Sequence, residues 1–153
     1  MVDINVGRLA RYLRAAGFDV LYNPGWHDRD IARFMMRERR ILLTRDKGLL
    51  MRKQVIFGRY VRAEKPVDQL EEIVELLGLR DRVAPFTRCL ECNLPLVPVA
   101  KEEVDHLLEP LTRKYYTTFS RCDGCGRIYW PGSHTEKMRR LLAGQITSSA
   151  RQH

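Results

Sequence analysis

Two cysteine pairs, Cys89-Leu-Glu-Cys92 and Cys122-Asp-Gly-Cys125, constrain this chain more than any other feature, and they hold all of its cysteines. Each pair presents two sulfurs from one tight turn. Two such turns offer four soft donors, the set that suits tetrahedral Zn²⁺. Gly124 and Gly126 supply pliable backbone to the second turn. The 29 residues between Cys92 and Cys122 exceed the roughly 15–20 of a compact ribbon, so an inserted loop or helix is expected. A redox pair is the competing reading, but redox chemistry does not call for a second pair. Four thiolates leave no position open to water, so the zinc is expected to be structural, replacing a core that about 60 residues build poorly.

Upstream of the cysteines the pattern changes. Gly7 to Ala16 reads as a helix with Leu9, Leu13 and Ala16 on one face and Arg8, Arg11 and Arg14 on a solvated one. Phe18–Tyr22 is strand-like, and a second helix runs from Asp28, its expected N-cap, to Arg39, with Ile31, Phe34 and Met35 inward. Ile41, Leu42 and Leu43 form the short apolar run of a strand buried on both faces, ending in Thr44-Arg45-Asp46. A short helix from Lys47, a β-rich stretch over 55–61 and a helix from Pro66 to Gly78 follow. Strands alternating with helices imply a parallel sheet covered by helices. The division expected is an α/β domain over 1–85, a zinc-ribbon domain over 86–143 and a flexible tail over 144–153.

Asp3, Asp28 and Asp46 stand at three comparable places: the end of the first strand, the start of the helix after the second, and the end of the third. Parallel topology gathers such positions in the crevice above the carboxyl ends of the strands. Hard cations such as Mg²⁺ or Mn²⁺ are held there by a few carboxylates, completed by water and substrate phosphate, and they activate water for attack on a phosphodiester. Asp46 also has the chemistry of a helix cap. Asp30 is a candidate fourth acid, though an Asp in a first helical turn, like Asp68, is expected from the helix dipole alone.

The net charge of +8, from 27 Lys and Arg against 19 Asp and Glu, favours a polyanionic partner such as nucleic acid. It is spread along the chain: 17 basic and 12 acidic residues lie before position 86, and 10 and 7 after it. Arg8, Arg11 and Arg45 flank two of the proposed ligands and are candidate phosphate contacts. His134 is a candidate RNA contact, while Tyr129 and Trp130 suit packing of the ribbon's small core. His27 beside Trp26 reads as structural. No apolar run approaches the roughly 18 residues of a membrane span, and no signal segment opens the chain, so a cytoplasmic protein is expected.

The order of these motifs resembles the PIN-like ribonuclease domain with a C-terminal zinc ribbon found at the end of Mut-seven-type exonucleases. The resemblance runs from Val2-Asp3 through Gly7–Arg11, Leu13–Arg14, Gly17–Asp19, Arg40–Asp46 and Gln69–Leu70 to both cysteine pairs and Tyr129–His134. It implies a PIN-like α/β fold and metal-dependent cleavage of RNA, single-stranded by preference, with Asp3, Asp28 and Asp46 holding Mg²⁺ or Mn²⁺. Two departures stand out. Few residues precede the first acid, and Thr135 occupies a place where the family usually has an aromatic. The alternative is a non-catalytic RNA-binding zinc-ribbon protein in which the acids are caps.

Overall fold

A computed structural model describes residues 1–133, 135–136, 138–140 and 143; His134 and the tail expected over 144–153 lie outside the described residues. The chain separates into two compact units, one of Met1–Arg14 with Asp19–Arg82, the other of Ala15–Phe18 with the residues from Val83 onward.

The first unit is mixed α/β. A 3₁₀ turn, Ile4–Val6, leads into α1 (Gly7–Ala15), followed by α2 (Asp28–Glu38), β1 (Leu42–Thr44), α3 (Lys47–Leu50), β2 (Gly58–Tyr60) and α4 (Pro66–Leu76). β1 and β2 pair in parallel, Leu42 opposite Gly58 and Thr44 opposite Tyr60. Met1–Asp3 lies along the other edge of β1: Val2 bridges Leu43 in parallel, and the Asp3 amide donates to the Leu43 carbonyl at 3.0 Å. Leu42 and Leu43 are buried as the apolar run predicts, whereas Ile41 is 38% exposed. Leu42 and Leu49 pack with Met1, Ile31 and Met35 in one core cluster.

The strand expected over Phe18–Tyr22 forms only an extended segment. Val2 donates to the Leu21 carbonyl at 3.0 Å, and the neighbouring Val20 carbonyl is taken by a side chain. That side chain is Arg14, which is buried rather than solvated: its Nε and Nη2 reach the Val20 oxygen at 3.0 and 2.9 Å. A guanidinium thereby satisfies a carbonyl that a ladder would otherwise use. His27, not Asp28, is the N-cap of α2, and the first-turn Asp30 accepts the His27 amide at 3.0 Å.

The second unit contains an antiparallel sheet of β3 (Leu96–Val99), β4 (Phe119–Cys122) and β5 (Ile128–Tyr129), in that order. Between β3 and β4 the excess sequence folds as α5 (Lys101–Val104), a 3₁₀ turn and α6 (Pro110–Tyr115). Val104, Leu108 and Phe119 are the buried centre, with Tyr116, Ile128 and Trp130 packed against them. Ala15–Phe18 joins this unit because the Ala84 and Phe86 amides donate to the Ala16 and Ala15 carbonyls, both at 2.9 Å. None of the described helices is long and apolar enough to cross a membrane.

Candidate functional site

The four cysteines converge. Their sulfurs all lie within 4.8 Å of one another, with Cys89–Cys92 and Cys92–Cys122 at 3.4 Å and Cys89–Cys125 at 3.7 Å. Four sulfurs about 2.3 Å from a tetrahedral Zn²⁺ stand about 3.8 Å apart, so the cluster fits that ion.

The two turns are built alike. In the first, the Cys89 amide donates to the Leu94 carbonyl and the Asn93 amide to the Cys89 carbonyl; in the second, Cys122 donates to Arg127 and Gly126 to Cys122. The residue after each second cysteine has a left-handed backbone, Asn93 at φ 67° and Gly126 at φ 72°. Asn and Gly are the residues that accept it readily. Gly126 meets its expected role, and Asn93 is the equivalent that composition alone conceals.

Tyr129 acts on the cluster as well. Its hydroxyl accepts the Leu90 amide at 3.1 Å and lies 3.1 Å from the Cys89 sulfur, to which it donates when that sulfur is a thiolate. Burial opposes ionisation of Cys89, yet the backbone amide of Cys92, the Tyr129 hydroxyl and the Glu91 amide together lower its thiol to about 6. Burial and the neighbouring sulfurs push Cys92 the other way. Trp130 packs on Tyr116 and Phe119 with centroids 6.5 Å apart, and Thr135 donates to the Trp130 carbonyl at 3.0 Å.

The acids are organised differently. Asp3 is 5% exposed; its Oδ1 accepts the Ile4 amide at 2.6 Å and its Oδ2 accepts the Thr44 hydroxyl at 2.8 Å. That hydroxyl oxygen also accepts the Asp46 amide at 2.9 Å, so one side chain ties the two acidic residues at the end of β1 together. Asp46 caps α3, its Oδ1 accepting Gly48 and Leu49 at 2.7 and 3.1 Å. The cap and the strand end are the same residue, and both cap bonds fall on one oxygen.

Asp3 and Asp28 line a single pocket of about 810 Å³, together with Trp26, His27, Arg29, Asp30 and Arg52. Trp26 packs tilted against Phe34, ring centroids 4.5 Å apart, and Asp28 meets Arg52 at 2.7 Å. Among the described residues the four cysteines are the group of three or more Cys, His, Asp or Glu whose ligand atoms lie within 4.8 Å; Asp3, Asp28 and Asp46 are not gathered that closely. Their chemistry suits a hard cation all the same, since Mg²⁺ keeps several of its waters, and carboxylates set further apart can hold it through them.

The expected phosphate contacts are scattered. Arg8 lines a second pocket of about 340 Å³ beside Gly7, Tyr22, Glu64 and Gln69, and Arg11 is exposed. Arg45 holds the chain: its Nη1 donates to the Ala63 carbonyl and its amide to Asn5, both at 3.1 Å. Asp68 sits in the first turn of α4. Arg29 and Arg52, which share the pocket with Asp3 and Asp28, were not expected, and only the topology reveals them.

A family model described as the Mut7-C RNAse domain matches residues 1–142 of the chain. No curated protein and no solved structure matches it.

Proposed function

Because the chain belongs to the Mut7-C RNAse domain family, we propose that it is a metal-dependent ribonuclease of PIN-like fold, with catalysis at Asp3, Asp28 and Asp46 and structural zinc at the four cysteines. The observation that carries this reading is the Thr44 hydroxyl, which binds the Asp3 carboxylate and takes the Asp46 amide. Asp3 is a carboxylate buried at a strand end, in a pocket it shares with two further carboxylates, Asp28 and Asp30, and two guanidinium groups, and a concave site with convergent polar groups is where a ligand is expected.

When bound, Mg²⁺ or Mn²⁺ would supply positive charge to the phosphodiester and lower the pKa of a water. Asp3, Asp28 and Asp46 would hold it. The remaining roles fall to this chain's own groups. The Ile4 amide and Thr44 hydroxyl fix both oxygens of Asp3, and the α3 cap fixes the direction of Asp46. Arg29 and Arg52 offer donors to the phosphate backbone. Trp26 offers a flat face on which an unpaired base can stack. Such a pocket reaches one strand, which favours single-stranded RNA.

Asp46→Asn tests the reading cleanly. Asn caps helices about as well as Asp, so stability should hold while cleavage of single-stranded RNA with Mn²⁺ falls by about a hundredfold or more. Cleavage unaffected by Asp46→Asn and by chelation would overturn metal-dependent catalysis at these acids, whereas salt-sensitive RNA binding with no cleavage by the wild type would leave the non-catalytic RNA-binding description as the correct one.

A further inference from the structure

The acids of the large pocket, and Asp46 at the end of β1, differ in what restrains them. Asp3 is held by the Ile4 amide and the Thr44 hydroxyl, Asp30 by the His27 amide, and Asp46 by the Gly48 and Leu49 amides. Among the described residues, Asp28 is instead held by the guanidinium of Arg52, at 2.7 Å. Both side chains are 46% exposed, and both line the pocket that contains Asp3. An ion pair so open to water is held weakly and exchanges readily.

Arg52 is itself anchored by the backbone. It follows α3, with its amide on the Leu49 carbonyl at 3.3 Å and its carbonyl accepting Val55 at 2.9 Å. Its main chain therefore stays in place while its side chain is free to change partner.

We propose that Arg52 is an exchangeable counter-ion of Asp28: it neutralises that carboxylate in the free protein and transfers to a phosphate of the nucleic acid strand when a divalent cation takes Asp28. Cation and strand then bind this pocket with positive coupling, because each releases the group the other needs. The proposal rests on the reading of Asp3 and Asp28 as cation ligands.

The test is a double-mutant cycle on the full zinc-loaded chain, with two readouts. One is Mn²⁺ affinity from the electron paramagnetic resonance of the free ion. The other is binding of a labelled single-stranded oligouridylate in buffer without added divalent cation. Arg52→Gln should tighten Mn²⁺ roughly two- to fivefold, the range of a solvent-exposed ion pair, and weaken binding of the oligonucleotide. Asp28→Asn should tighten oligonucleotide binding by a similar factor, and that gain should vanish in the double variant. Asp30→Asn supplies the generic effect of deleting a negative charge, which Arg52→Gln should not erase.

A gain from Asp28→Asn that persists without Arg52, or Mn²⁺ affinity unmoved by Arg52→Gln while Asp3→Asn abolishes it, overturns the exchange alone. Mn²⁺ binding indifferent to both Asp3→Asn and Asp28→Asn overturns the cation-site reading and the exchange with it.

Discussion

The sulfur cluster and the acidic pocket are two ways of bringing charged groups together. In the cluster, each ligand pair is local, three residues apart, and the turn that presents it closes within six residues, from Cys89 to Leu94 and from Cys122 to Arg127. The acids are linked across the sequence: the bond between Asp3 and Thr44 spans 41 positions. The cluster's four sulfurs repel once ionised and need a cation to hold them, whereas Asp3 and Asp46 are each satisfied by hydrogen-bond donors of the protein. The sulfur cluster needs an ion to complete it, whereas the acids are held in place by the protein alone.

The strongest test of this contrast removes the zinc. Apparent binding free energies for structural zinc are about 10–16 kcal/mol, so chelation or Cys122→Ala should abolish the ordered sheet of β3, β4 and β5. Amide exchange read segment by segment should then show lost protection over residues 96–129, with protection kept around β1. A stoichiometry well below one zinc per chain in reduced protein would remove the premise. Acid works in the same direction. Zinc must displace a proton from any protonated ligand, so affinity should fall faster once pH drops through about 6, where Cys89 takes up its own.

The same contrast explains what could be read from the sequence. The cysteine spacing announces the cluster because each half is encoded in four consecutive residues. Asp46 at the end of an apolar run was legible as strand end and cap, because both depend on near neighbours. Arg14 was not. Its stripe of arginines suggests a wet face, and only the return of the chain at Val20 gives its guanidinium a buried acceptor. Thr44 was likewise silent, as was Tyr129's bond to Cys89, because a hydroxyl's partner is set by topology rather than spacing. Gly7 and Gln69 belong to the same class. A β-carbon at Gly7 would collide with the Tyr22 phenol, and the Gln69 amide donates to the Ala63 and Glu64 carbonyls at 3.0 and 3.3 Å.

A smaller perturbation tests the acidic site's own hydrogen bonds apart from the cation proposed for it. Thr44→Val keeps the shape of a fully buried side chain but removes the donor to Asp3 and the acceptor of the Asp46 amide. Leaving buried polar groups unmatched costs about 1–3 kcal/mol of stability. Loss of a group that orients a ligand typically lowers metal affinity or activity about 10–100-fold. Thr44→Ser should restore both. If Thr44→Val lowers stability alone, as followed by thermal unfolding and Mn²⁺ titration, Thr44 packs the strand without serving the acids.

The finest comparison concerns backbone alone. Gly126, after the second cysteine turn, and Gly78, after α4, have φ of 72° and 61°, and a β-carbon at either would meet nothing within 4 Å. Replacement by Ala therefore introduces left-handed strain without a clash, about 1–2 kcal/mol at each site. At Gly78 that cost should appear directly as lost stability. At Gly126 the bond from its amide to Cys122 belongs to a turn whose ends are tied to the zinc ligands, so part of the cost should appear as weaker zinc retention against a chelator. Asn93→Gly, at the matching position of the first turn, exchanges two residues that both accept the left-handed backbone and should leave zinc retention unchanged. Equal retention in the Gly126→Ala and Gly78→Ala proteins would show that turn strain is not transmitted to the cluster.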